Sequence, residues 1–447
     1  MTLAQDNVRR LVEWSRQDHF DRLASAASSP IENVGILGAG MMGRAIAAAH
    51  VEHQLPVVVS DANESVLAEA VALTVAELPA SIRSRIHGVS GLVRATADTT
   101  EAVRCDLVLE SIVESLPAKR QLFAELQAQL ASHTIVASNT STIPIGRLAE
   151  SFADASRFCG MHFFHPVRHR PLVEIVRGPR TSDHTIAAAV AHIRRIGKMP
   201  IVVRDGPGFL VNRLLFPYLG EALELLREGV RAEAIERAAA AFGMAIGPLR
   251  LMDEIGLDTT LQAGWVLAAA FPERIVSSPL LVSMVKAGRL GRKAGAGFYA
   301  YDTSSHPVVT GMAETAVEEI ATRWIDGRRK PSQESIALRL VLPMLLEATR
   351  ILEEGAVCDA HSIDLAVLFG LGFPAEKGGL LWWADSLGPD RIVAMLRSHG
   401  SMEERSRPTP MLLSLARTGG RFYPDSIAAI AVVSQKLGIP AAEAVPW

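Results

Sequence analysis

Three histidines and one glutamate share the segment GMHFFHPVRHRPLVEIVRG, residues 160–178. His162, His165 and His169 could ligate a metal, sit as hydrogen-bonded core imidazoles, or supply an acid–base dyad with Glu174. Metal ligation fits worst. The i, i+3, i+7 spacing lies on no common strand face and no cysteine or acidic cluster joins it, so no metal is expected. A histidine on an apolar strand is often only a satisfied core residue. The dyad explains more of the pattern. An imidazole can take a hydroxyl proton near neutral pH, and a carboxylate such as Glu174 can fix its tautomer and stabilise the imidazolium. The segment reads as a strand end carrying His162, a turn carrying His165, and a second strand that returns Glu174.

A second chemistry-bearing run is Gly38-Ala-Gly40-Met-Met42-Gly43, which fits G-x-G-x-x-G between an apolar run (IENVGIL) and a helical pattern (MMGRAIAAAHVEHQ). Gly38 makes the tight turn, Gly40 lets backbone approach a pyrophosphate, and Gly43 allows close helix–strand packing. The helix N-terminus offers free N–H groups to phosphates. Asp61 ends the next apolar run, LPVVVSD, where an acid can accept both ribose hydroxyls and disfavours a 2′-phosphate. NAD is therefore the expected cofactor. The alternative for Asp61 is an N-cap for the helix beginning NESVLAEAV.

These residues need a frame. Strand, turn, helix and strand within about thirty residues make a βαβ unit. Further strands are expected at CDLVLESI, TIVASNTS, FCGMHFF and MPIVVRD, giving a doubly wound α/β, Rossmann-type domain over 31–205. An amphipathic helix precedes it within residues 1–30, over 6–27. Beyond DGPGF (205–209) the pattern turns helical, over 206–302. A polar connector, 303–330, holds the helical pattern AETAVEEIATRWI, and a second helical domain follows over 331–447 with a closing helix at SIAAIAVVSQKLG. The second repeats the first: LFPYLGEALELLREGV (215–230) resembles VLPMLLEATRILEEGA (341–356). The fold class is thus α/β plus all-α, with a duplicated helical domain.

Composition narrows the partners. The chain has 447 residues, 49% of them hydrophobic and 21% charged, enough apolar mass for two or three domains. A net charge of −3 gives no case for nucleic acid. No apolar run is long enough for a membrane span, and the N-terminus mixes acids and bases with no signal core. Cys105, Cys159 and Cys358 form neither a disulfide framework nor a zinc set. A cytoplasmic protein is expected.

The words GILGAGMMG, VLESIVES, VASNTSTIPI, CGMHFFHPV…PLVEIVRG, DGPGFLVNRLLFPY, GPLRLMDEIGLDT, GRKAGAGFY and GLGFPAEKGGLLWW run in one order across nearly residues 31–390. In this the chain resembles the L-3-hydroxyacyl-CoA dehydrogenase family, and in particular the dehydrogenase half of the bacterial multifunctional β-oxidation α-subunit, without the hydratase domain that precedes that half. The resemblance implies that His162 is the catalytic histidine, Glu174 its partner acid, and Ser141 and Asn212 the holders of the substrate's oxygens. It puts Met42, Glu110 and Lys119 near the cofactor; the plain alternative for the last two is a loop acid and a solvated helix lysine. It implies oxidation of a 3-hydroxyacyl thioester, on CoA or on an acyl carrier protein, to the 3-ketoacyl form. Relatives with one helical module pair through it. Here the second module can cover the same face, so a monomer is expected as readily as a homodimer.

Two departures stand out. The family has Asn where this chain has His165, beside the reacting centre. The helix after Asp61 lacks the lysines that relatives use against CoA phosphates, leaving Arg83 and Arg85. The alternatives are a dehydrogenase of a small free hydroxy acid and a non-catalytic scaffold keeping the fold.

Overall fold

The computed structural model describes residues 2–16, 30–85, 89–275, 277–301, 309–312, 320, 324, 330–399 and 404–423. The chain divides into two compact units, one built on Arg9–Phe209 and the other on the residues from Leu210 onward together with Met1–Val8. The first helix, Leu3–Arg16, occupies part of the expected 6–27; the remainder of that span lies outside the described residues, as does the closing helix expected at 426–438.

The first unit is built on an eight-stranded sheet: β1 (Val34–Leu37), β2 (Val57–Ser60), β3 (Val93–Thr96), β4 (Leu107–Glu110), β5 (Ile135–Ser138), β6 (Phe158–Phe163), β7 (Leu172–Arg177) and β8 (Met199–Arg204). Their order is β3-β2-β1-β4-β5-β6-β7-β8. The first six are parallel. Central strands β1, β4 and β5 are buried along their whole length, as apolar strands covered on both faces should be. β3 went unread in the sequence because it is only half buried and carries Arg94. Between β6 and β7 the direction reverses, and this one antiparallel pairing sets His162 directly opposite Glu174.

Buried between two helices of this unit, Met41–Glu52 and Asp183–Arg195, lies a pair of histidines. His50 Nε2 and His192 Nε2 are 2.9 Å apart, and His50 Nδ1 is 2.7 Å from Ile46 O. His50 Nδ1–H donates to that carbonyl, one proton lies between the two Nε2 atoms, and burial disfavours a charge on either ring. Burial pushes the His50 pKa from its ordinary 6.5 down to about 4, and drives that of His192 down too. In the unfolded chain both protonate near the ordinary value. Stability is therefore full above that value and is lost as pH falls toward about 4, by on the order of 3 kcal/mol for His50 alone. Calorimetric melting of the wild type and a His50→Leu/His192→Leu double variant between pH 7 and 4.5 is expected to show a shallower acid loss in the variant. Parallel loss in both proteins would rule the pair out as its source.

The second unit is helical and takes in both helical segments. It also holds a two-stranded ribbon, Tyr299–Tyr301 with Val309–Met312; the latter falls in the stretch read from sequence as a polar connector. The helix expected over 313–325 lies almost wholly outside the described residues. The repeat is explicit in side chains. Asp253 accepts from Phe298 N and Tyr299 N at 2.9 Å, and Asp385 accepts from Phe422 N and Tyr423 N at 2.9 Å. The long helices Val211–Arg227 and Gln333–Glu353 pack on each other, each with an internal proline, Pro217 and Pro343. Arg213 of the first helix reaches Glu347 (2.9 Å) and Glu354 (2.8 Å) of the second. Its counterpart Arg339 reaches Glu221 (2.7 Å) and Glu228 (2.6 Å), the counterparts of those two acids. The contact is self-complementary, as across a two-fold axis. The copies differ where Gly220 of the first stands in the place of Leu346, which is fully buried. A glycine in a helix interior costs about 1 kcal/mol relative to alanine.

Candidate active site

The dinucleotide turn joins β1 to the helix Met41–Glu52. Gly38 has φ +107°, and a Cβ there would come 2.5 Å from Ser111 O; one on Gly43 would come 1.9 Å from Gly38 O. A Cβ on Gly40 would meet nothing within 4 Å. Two glycines are thus demanded by the protein's own packing, and the third faces open space at the helix N-terminus. Gly40 caps that helix without a side chain, and the first turn holds no acid, so its N–H groups are available to an anion. Met42 is half-buried against the sheet core. Asp61 is not the N-cap of the helix Glu64–Glu77; Asn63 is. Asp61 Oδ2 instead accepts from Ala39 N at 2.8 Å, and its Oδ1 from Asn63 N at 2.9 Å, which fixes the carboxylate beside the turn. These features fit a dinucleotide phosphate and ribose.

Across the sheet, His162 Nδ1 is 2.6 Å from Glu174 Oε2. Both side chains are buried, Glu174 completely. Nδ1–H donates to the carboxylate, so Nε2 carries the lone pair. Phe164 and Phe209 flank the imidazole, with ring centroids 4.4 and 5.9 Å away. Phe209 is held at φ +50°, a strained backbone for a bulky residue. His165 and His169 are exposed on the β6–β7 connection, so the three histidines do not converge.

Ser141 is exposed on the loop after β5, and that loop is clamped by a residue that sequence reasoning passed over, Glu114. Glu114 Oε1 accepts from Thr140 Oγ1 (2.7 Å), Ser141 N (2.9 Å) and Thr142 N (3.1 Å). Burial alone would raise the Glu114 pKa; the charge of Lys119 and the bonds from Thr140, Ser141 and Thr142 outweigh it and hold the carboxyl below its ordinary range. Glu110, expected beside the cofactor, is fully enclosed. Its Oε1 accepts from Lys119 Nζ (2.6 Å) and Ile112 N (2.7 Å), and its Oε2 from Ser138 Oγ (2.6 Å). Lys119 is 1% exposed, so it is not a solvated helix lysine. The pair braces the loop from beneath. Asn139 was also missed: its Oδ1 accepts from Phe163 N at 2.8 Å, and its Nδ2 donates to Ser111 Oγ at 3.3 Å. It ties the residue after His162 to the side chain of Ser111, whose own carbonyl lies under Gly38. Asn212 lies in the other unit, as the second residue of the helix Val211–Arg227.

Replacing His165 by asparagine exchanges a group that can gain a proton in acid for one that cannot. The variant is expected to stay active, to widen the acid side of the pH–rate profile, and to bind NAD nearly as before, as measured by initial rates from pH 5.5 to 9. Loss of activity at every pH would make His165 itself catalytic.

The sequence model described as "3-hydroxyacyl-CoA dehydrogenase, NAD binding domain" matches residues 33–206. That described as "3-hydroxyacyl-CoA dehydrogenase, C-terminal domain" matches twice, over 208–301 and 336–422. The fatty acid oxidation complex subunit alpha of Pseudomonas savastanoi pv. phaseolicola (strain 1448A / Race 6) is 36% identical over 410 residues, 89% of this chain and 56% of that protein. The chain thus spans about half the length of that curated relative. The crystal structure of 3-hydroxybutyryl-CoA dehydrogenase from Escherichia coli K12 substr. MG1655 superposes with a TM-score of 0.74 at 25% identity, covering 87% of this chain and 99% of that one. For (S)-3-hydroxybutyryl-CoA dehydrogenase from Ralstonia eutropha the TM-score is 0.57 at 36% identity, covering 61% and 100%. With both family models matched in order over most of its length, the chain belongs to the 3-hydroxyacyl-CoA dehydrogenase family.

Proposed function

We propose that the protein is an NAD-dependent oxidoreductase that interconverts 3-hydroxyacyl and 3-ketoacyl thioesters, with His162 as acid/base. The observation that carries this reading is the 2.6 Å contact between His162 Nδ1 and Glu174 Oε2, which leaves Nε2 as the proton acceptor. In the oxidative direction Nε2 takes the C3 hydroxyl proton. Glu174, buried beside the ring, stabilises the imidazolium that forms and keeps the ring in one tautomer. Bound NAD supplies the hydride acceptor. Gly38, Gly40, Gly43 and Met42 hold its pyrophosphate side and Asp61 its ribose hydroxyls. Ser141 orients the substrate oxygen on a loop fixed by Glu114, and a small misplacement there is expensive in rate. Asn212 has its assignment from the family resemblance alone. Among the described residues no helix is long and apolar enough to cross a membrane.

One observation favours a donor other than CoA. The helix Glu64–Glu77 exposes Glu64, Glu69 and Glu77 among alanines and serine, and it bears no lysine or arginine. That face offers nothing to a nucleotide phosphate. The deciding experiment is NADH-monitored turnover of one 3-hydroxyacyl group presented on CoA, on pantetheine and on a carrier protein, beside the free hydroxy acid. Turnover of the thioesters supports the reading. Turnover of the free acid alone would replace it with the small-acid dehydrogenase.

A further inference from the structure

The two helical copies differ at one interior position in a way that opens space. In the second copy Leu346 fills its site and is fully buried. In the first copy the same position is Gly220, in the middle of a 17-residue helix, and a Cβ added there would meet no atom within 4 Å. Beside Gly220 lies a cavity of about 60 Å³. One water needs about 10–15 Å³ on this measure, so the space suits roughly four to six heavy atoms.

The lining is two-sided. Phe216, Leu219, Leu223 and Leu261, all buried, form an apolar wall. Arg274, Arg350 and Arg405 also line it. Its two carboxylates, Glu221 and Glu224, are engaged by Arg339 and Arg227, which do not line it. Arg274 is held by Glu354 (2.6 Å), and Arg350 lies 3.5 Å from Glu347. These contacts hold the Arg274 and Arg350 guanidinium groups, and each guanidinium carries five N–H donors.

A third observation points to a ligand. Ser278 is the N-cap residue of the helix Pro279–Lys286, where a serine hydroxyl ordinarily accepts from the helix backbone. Here it makes no such bond. Its Oγ is buried without a hydrogen-bond partner, and the residue lines the cavity. A buried hydroxyl left unpaired requires an explanation.

We propose that this cavity is a binding site for a short-chain carboxylate, its alkyl chain over Gly220 and against the Phe216–Leu261 wall, its carboxylate among the arginines and the Ser278 hydroxyl. The site lies wholly within the helical unit and is separate from the dyad. Titration calorimetry of the full chain with butanoate, which has six heavy atoms, is expected to give a saturable isotherm in the submillimolar to millimolar range. Gly220→Leu, which copies the other half of the repeat, is expected to weaken binding at least tenfold, and Ser278→Ala about fivefold. Both variants are expected to keep the NAD affinity of the wild type, which separates this site from the catalytic one. Butylamine, with the opposite charge, is expected not to bind. The proposal is overturned if butanoate shows no binding up to about 10 mM, which would leave the cavity to water. It is also overturned if a folded Gly220→Leu protein, checked by circular dichroism, binds butanoate as tightly as the wild type, or if butylamine binds equally well.

Discussion

Replacing His162 by alanine is expected to lower turnover by about 10²–10⁴-fold while leaving NAD affinity within about twofold. The size follows from losing the only group in the dyad that can accept the hydroxyl proton. The selectivity follows from the fold, because the dinucleotide turn depends on β1, β2 and Asp61 and not on the β6–β7 pair. Glu174→Gln is a gentler change. The amide can still accept from Nδ1, but it no longer favours the imidazolium, so turnover is expected to fall and the pH–rate profile to shift. Initial rates and single-turnover hydride transfer, both followed at the NADH band, read these effects. An alanine variant that retained near-native rate on its true substrate would reduce His162 to a core histidine.

The second large effect concerns cofactor choice. Asp61 is fixed at the mouth of the turn by Ala39 N and Asn63 N, with no cation among those partners. A 2′-phosphate brought to that place meets a carboxylate that cannot swing away without breaking both bonds. The expected result is NADP binding at least ~100-fold weaker than NAD, equivalent to about 3 kcal/mol. Asp61→Ala is expected to recover part of the NADP affinity and to weaken NAD. Calorimetry showing equal affinity for the two cofactors in the wild type would contradict this.

What the sequence makes legible is what lies close together along it. The glycine turn, its flanking strands and the acid at the end of β2 fall within 34–61, and each announces itself by residue type and period. His162 and Glu174 are twelve residues apart, so the turn between them leads to an antiparallel pair and sets them face to face. Glu114 and Asn139 were not legible. Their roles exist only because β4 and β5 run side by side, so that the loop after one can clamp the loop after the other. Glu110 was legible only in part. Its position near a cofactor turn is clear from sequence, but its enclosure by Lys119 and Ser138 is a property of packing. A lysine nine residues from an acid gives no signal that both are buried. In the repeat, Arg213, Glu221 and Glu228 recur as Arg339, Glu347 and Glu354 at identical spacing; the spacing is written in the sequence, yet only a pairing of the two helices turns it into reciprocal ion pairs.

That reciprocity changes how the interface can evolve. In a pair made by two identical chains every substitution arrives twice, once on each side of the axis, so a change good for one side must be tolerated on the other. In a covalent pair each side mutates alone. Arg213 and Arg339 can keep the joint closed while Asn212 of one half corresponds to Leu338 of the other, and Gly220 to Leu346. One half can stay under selection for chemistry while the other drifts toward filler, or toward a new pocket, with the joint between them as the shared constraint on both lineages.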